Sequence, residues 1–184
     1  MAEKPILFNT DMARAILEGR KTQTRRPITP QTLEKFINLI WNANENIHHC
    51  PYRVGDTLWV RETWAYQFGL YWYKAGPFPP NTIPPVKWKP SIHMPKEASR
   101  IKLLVKSVRV ERLQEITEDN AKDEGVKDPY EYQHPDYYNQ PHMRGITYAI
   151  SAFAGLWDSI YAKQGSGWDK NPWVWVIEFE RVDK

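Results

Sequence analysis

The chain holds a single cysteine, Cys50, so an internal disulfide is excluded and the composition fits a reducing compartment. It has no apolar run long enough to cross a bilayer. Its first residues, Met-Ala-Glu-Lys-Pro, lack the apolar core of a secretory leader, so a cytoplasmic protein with no membrane partner is expected. Internal repeats and low-complexity tracts are also missing, which argues against a solenoid or a linker-rich chain. Net charge is scarce too: a formal +3 is too little, taken as a sum, to argue for nucleic acid.

What is present is a chain of 184 residues, 41% hydrophobic and 26% charged, which fits one globular domain over 1–184 with a substantial core. The charge is unevenly spread. Residues 14–26 carry five basic side chains against one acid and residues 96–112 six against two, whereas residues 115–136 carry eight acids against two lysines. Basic blocks of this kind can face a phosphate-bearing partner, although solvated faces look the same.

Period and punctuation predict the elements. A buried strand over 6–8 precedes a helix over 11–18 capped by Asn9 or Thr10, and Thr29-Pro30 opens a second helix over 31–41. Residues 57–64 alternate as a strand, and 71–74 form another. The stretch 76–95 holds seven prolines and is expected to be irregular. A long strand over 101–110 has its register broken near Ser107, as a bulge would break it. Thr117 caps a short helix over 118–124 closed by Gly125; a helix over 148–161 and a strand over 173–181 complete the chain. Strands interspersed with helices make the fold class α+β around a β-core.

The stretch with the most chemistry is 19–26, Gly-Arg-Lys-Thr-Gln-Thr-Arg-Arg, where two hydroxyls lie among four cations. In extended backbone Thr22, Thr24 and Arg26 share one face and Lys21, Gln23 and Arg25 the other. A tight turn after Gly19 would swing Lys21 towards Thr24. An amine beside a hydroxyl is either a nucleophile with its base or an anion site.

Four segments in this order, 19–26, Gly55-Asp56 with Leu58, Val60 and Glu62 at alternate positions, Ala121-Lys122-Asp123-Glu124-Gly125, and Val176-Ile177-Glu178-Phe179, resemble the ASCH domain family. Ser91-Ile92-His93-Met94-Pro95 and 173–177 add likeness to its longer bacteriophage and prophage forms. The resemblance spans nearly the whole chain. It implies a PUA-like β-barrel with flanking helices and a cleft for RNA or a modified nucleoside. One branch of small ASCH proteins hydrolyses the amide of N(4)-acetylcytidine with a lysine, a threonine and a glutamate, which fall here on Lys21, Thr24 and Glu124. Other members are described as RNA binders or ribonucleases, so an amidohydrolase, a non-catalytic RNA-binding module and a ribonuclease all stay open. Segments 66–97 and 127–144 are longer than in the small hydrolases and would either cover the cleft or enlarge it.

Chemistry sets its own conditions. A threonine hydroxyl needs a base, and a lysine with its ordinary pKa of roughly 10.4 is protonated near neutrality. Burial and the nearby arginines would lower that pKa, while Glu124 and the helix C-terminus would raise it, so catalysis requires a desolvated site. Alanine at Lys21, Thr24 or Glu124 is then expected to abolish turnover with the fold intact. Arg20, Arg26, Arg61 and Arg100 are candidate substrate or phosphate contacts, Glu62 an alternative acid, and Trp64 and His93 candidate cleft residues. Each also has an ordinary role: solvated charge, internal ion pair, core ring or structural histidine. His48-His49-Cys50 is not a metal site on this reading, because three adjacent ligands cannot readily complete a tetrahedron. No cofactor and no metal are expected.

Overall fold

A computed structural model of the chain describes residues 1–29, 32, 49–78, 87–126 and 148–182. The architecture is α+β. The helix expected over 31–41 and the insertion over 127–144 lie outside the described residues, as do 79–86 of the proline-rich stretch. None of the described helices is long and apolar enough to cross a membrane.

Strand β1 (Glu3–Leu7) begins three residues before the apolar run 6–8 suggests. Backbone pairing sets its limits: it runs parallel to β3 (Thr57–Arg61) over its whole length, although only Ile6 of the strand is buried. Pro5 is tolerated because β1 is an edge strand. Helix α1 (Thr10–Leu17) starts at Asn9, whose side-chain oxygen accepts from Met12 N at 2.8 Å. It ends in a reversal in which Arg20 N and Lys21 N both donate to Ala15 O, at 2.9 and 3.1 Å. This is the tight turn that 19–26 was expected to contain. The chain then enters β2 (Gln23–Pro27).

The strand expected over 57–64 is interrupted. β3 stops at Arg61, and β4 (Trp64–Gln67) forms a separate two-stranded hairpin with β5 (Leu70–Tyr73). The break falls at Glu62, whose buried carboxylate is held by Arg100 and whose N–H goes to Met94 Sδ at 3.2 Å, so that N–H is not spent on a ladder.

The main sheet runs β1-β3-β6-β7-β2, where β6 is Lys102–Arg112 and β7 is Trp173–Arg181. Its register shifts between Val105 and Ser107, at the expected bulge. The extra residue keeps Leu103, Val105 and then Val108 in one core, which strict alternation would have prevented. β7 is buried on both faces. Trp175, Ile177 and Phe179 join Ile6, Phe8, Leu58 and α1 on one side. Val174 and Val176 meet α2 (Glu118–Asp123) and α3 (Tyr148–Tyr161) on the other, through Ala121, Phe153 and Trp157.

The two ends of this sheet approach each other without a ladder among the described residues. Arg26 on β2 donates to Leu7 O on β1 at 2.6 Å, and its guanidinium lies 5.3 Å from the Phe8 ring centroid. A guanidinium thus bridges the gap that a barrel would close with backbone pairing.

Candidate active site

The site forms where three pieces meet: the end of α1, the turn at 19–21 and the end of α2. Thr117 caps α2 by accepting from Asn120 N at 3.2 Å, and Gly125 closes it with φ +81°. Lys21 and Glu124 are bridged through their backbones, next to Thr22 N donating to Asp123 O at 2.9 Å. The side chains repeat that pairing. Lys21 Nζ donates to Glu124 Oε2 and to Glu124 O, each at 2.8 Å. Glu124 Oε1 accepts from Arg25 Nη1 at 3.1 Å, and Arg25 Nη2 continues to Glu111 Oε2 at 3.0 Å. The Lys21 and Arg25 side chains are both fully buried, so one carboxylate serves two desolvated cations.

Burial drives the Lys21 pKa below the usual lysine range. Glu124 opposes that shift, and Arg26 and Arg25 reinforce it. Between the depressed folded value and the ordinary one near 10.5 the unfolded chain binds more protons, so stability should rise with pH in that window. Urea midpoints between pH 7.5 and 9.5 should show this rise in the wild type and lose that component in Lys21→Met. Parallel curves for the two proteins would mean that the lysine titrates normally.

Thr24 lies on the inward face of β2, opposite Ile177, and is 2% exposed. Among the described residues no hydrogen bond involves its hydroxyl. With Glu124 and Arg26 it lines a recess walled by Met12, Leu156 and Trp157, with room for about one water. Glu124 bonds Lys21 and lines the same recess as Thr24; Lys21 itself is not among the residues that line the recess.

Apart from His93, the other residues singled out in the sequence are already engaged. Arg20 donates to Gly125 O at 2.9 Å and pairs with Glu18, tying the turn to α2. Arg26 bonds Leu7 O and, at 3.2 Å, the Tyr161 hydroxyl. Glu62 forms a two-pronged pair with Arg100, at 2.9 and 3.1 Å, and the Arg100 guanidinium stacks 4.2 Å from the Tyr73 centroid. Arg61 donates to Met94 O at 3.1 Å and to Ile92 O, holding the turn Ser91–His93, on which His93 is exposed. Trp64 is 5% exposed and its face is covered by Lys89 Nζ at 4.8 Å, so it is a packing anchor with no face open to a base. The Glu62 group and the Glu124 group are distinct. Phe8 connects them: its ring lies 5.6 Å from Lys21 Nζ and its N–H donates to Arg61 O at 3.0 Å.

Sequence reading treated Arg25 only as a neighbouring charge and missed Glu111. Both complete the cluster, but Glu111 is 86 positions from Arg25 and carries no local signal. Cys50 is buried, and burial pushes its thiol up to about 11, so it is no thiolate ligand near neutrality.

Fold and cluster together define a curled α+β sheet protein with a buried lysine–carboxylate site between one edge strand and two helix ends. No family model and no curated protein matches the sequence. The chain is similar to the solved structure of an ASCH domain from Lactobacillus crispatus, at 12% identity and a TM-score of 0.46, covering 98% of this chain and 79% of that one. It is also similar to the hypothetical protein PH0355, at 12% identity and 0.45 over 99% and 100%, and to protein EF3133 from Enterococcus faecalis, at 11% and 0.43 over 94% and 67%.

Proposed function

We propose that this chain is an ASCH-type amidohydrolase acting on a modified nucleoside, N(4)-acylated cytidine. The observation that carries the reading is a fully buried Lys21 with a depressed pKa, bonded to Glu124, which lines the same recess as Thr24, whose hydroxyl has no hydrogen-bond partner among the described residues. In this reading Thr24 Oγ adds to the acyl carbonyl as its proton passes to Lys21. The C–N bond breaks as the leaving amine of cytidine takes that proton. Water then adds to the acyl-threonine ester, again giving its proton to Lys21, and the carboxylic acid departs as Thr24 is reprotonated. Glu124 orients the amine through the 2.8 Å contact. A nucleoside needs more room than the recess has, so Met12 and Leu156 must move aside on binding. A non-catalytic nucleic-acid-binding module is the second reading, favoured by the size of that recess.

Release of cytidine from N(4)-acetylcytidine, followed by chromatography, tests the proposal. Thr24→Val is the cleanest variant because it breaks no described hydrogen bond; turnover should fall at least about 100-fold with an unchanged melting temperature. Undiminished turnover in Thr24→Val would remove the nucleophile from the mechanism. A wild type inert towards several acylated nucleosides would leave the binding module.

A further inference from the structure

Residues 63–96 contain no aspartate or glutamate; all 22 acids of the chain lie outside them. The same stretch holds four lysines, at 74, 87, 89 and 96, and eight aromatic residues. The β4–β5 hairpin lies at its start. Pairing sets Trp64 opposite Tyr73 and Tyr66 opposite Tyr71, so strand alternation places these four rings on one face. The base of this ladder is anchored: Trp64 packs with Met94 and Ala98, and the Tyr73 hydroxyl donates to Ala98 O at 2.8 Å. Further out the rings are unburied. Tyr71 lies 5.9 Å from Trp64 and 5.0 Å from Tyr66, centroid to centroid, and Tyr66 is 55% exposed.

The tip is less expected still. Phe68 and Gly69 form the turn with φ +55° and +76°, a two-residue type I′ geometry in which asparagine followed by glycine is the ordinary choice. A phenylalanine there strains its backbone, and it is 88% exposed, so folding of the described residues recovers nothing from the ring. Lysines flank the hairpin. Lys89 pairs through its backbone with Trp64, at 2.7 and 3.2 Å, which sets 87–89 alongside β4. Lys74 and Lys87 are exposed, and neither has an ion-pair partner among the described residues.

We infer that the hairpin is a stacking arm for single-stranded nucleic acid. Tyr66, Phe68 and Tyr71 offer flat faces to successive bases, and Lys74 and Lys87 offer positive charge to the phosphates; every base has such a face, so the arm is tolerant of sequence. The absence of acids throughout 63–96 matches a polyanion. Tyrosine hydroxyls and Gln67 near the tip suit a wet, stacked ligand better than an oily one. The arm shares no residue with the Thr24 recess, so this inference stands or falls apart from the hydrolase reading.

The test uses the full chain and fluorescein-labelled 12-mers of oligo(U) and oligo(dT), read by anisotropy at 50 and 200 mM salt. Phe68→Asn is the decisive variant, because asparagine suits the turn and leaves the hairpin and its melting temperature intact while removing the ring. The wild type should bind both strands more weakly at higher salt, and Phe68→Asn should weaken binding about tenfold. Lys74→Gln with Lys87→Gln should flatten the slope of log K against log salt by about 1.4. Hydrolysis of N(4)-acetylcytidine, where present, should be untouched by Phe68→Asn. Equal affinities for the wild type and Phe68→Asn would overturn the inference. Binding to phosphatidylserine vesicles but to neither strand would replace it with a membrane contact.

Discussion

At a pH where Lys21 is protonated, Glu124→Ala is expected to lower folding stability by about 3–5 kcal/mol, the cost of leaving buried charge uncompensated. The carboxylate is 3% exposed and is the described counter-ion of Lys21, whose side chain is wholly buried. Arg25 would lose one of its two acidic partners and keep Glu111. Urea unfolding of the single variant measures the loss. The companion is Lys21→Met with Glu124→Gln, which removes the buried cation together with the anion and should recover most of it, because an ion pair exchanged for matched neutral groups is often close to neutral in stability. A loss under about 1 kcal/mol in Glu124→Ala would show that water reaches the pair. This also revises the expectation that alanine at each triad position leaves the fold intact. Thr24→Ala breaks no described hydrogen bond and is still expected to leave the fold intact, whereas in Glu124→Ala lost turnover would confound chemistry with unfolding. Glu124→Gln keeps an acceptor for Lys21 and is the better probe.

The second large effect is expected at Gly125. An alanine Cβ there would lie 2.8 Å from both Ala15 Cβ and Lys21 Cβ, closer than packed carbons come, on a backbone at φ +81°. The left-handed conformation alone costs a non-glycine residue about 1–2 kcal/mol, and forced repacking about 1–3 kcal/mol more. Neither neighbour can give way easily, since Ala15 is fixed in α1 and the Lys21 Cβ is next to the bridged backbone. Gly19 is the internal control: it has φ +75° but open space around its missing Cβ, so Gly19→Ala should lose the conformational part only. Thermal melts of the two variants should differ by several degrees. Equal melts would mean that the three pieces of the site are not pressed together at Gly125.

Long-period elements were legible from sequence. The helix Tyr148–Tyr161 and the strand Trp173–Arg181 fall where their apolar spacing put them, because each buries a large surface and periodicity records burial. The bulge at 105–107 was legible for the same reason: a change of phase in the valines is the only way one face stays apolar. The break at Glu62 was not, since Leu58, Val60 and Glu62 alternate as a strand would and the ion pair that ends it comes from Arg100. β1 was misplaced because its pairing is set by β3, some fifty residues away, and only one residue of the strand itself is buried.

For the site, the order of residues determined that Lys21 and Thr24 lie just past a glycine-terminated helix and that Glu124 ends another, since capping residues and spacing are local properties. Tertiary structure decided what those residues experience. Only the meeting of α1, the turn at 19–21 and α2 removes water from Lys21, gives Glu124 a second cation in Arg25 and ties Arg20 to Gly125 O, while separate tertiary contacts spend Arg26, Arg61 and Arg100 within the chain. Desolvation and ion pairing depend on neighbours brought from 86 to 105 positions away, and no local pattern of residues records them.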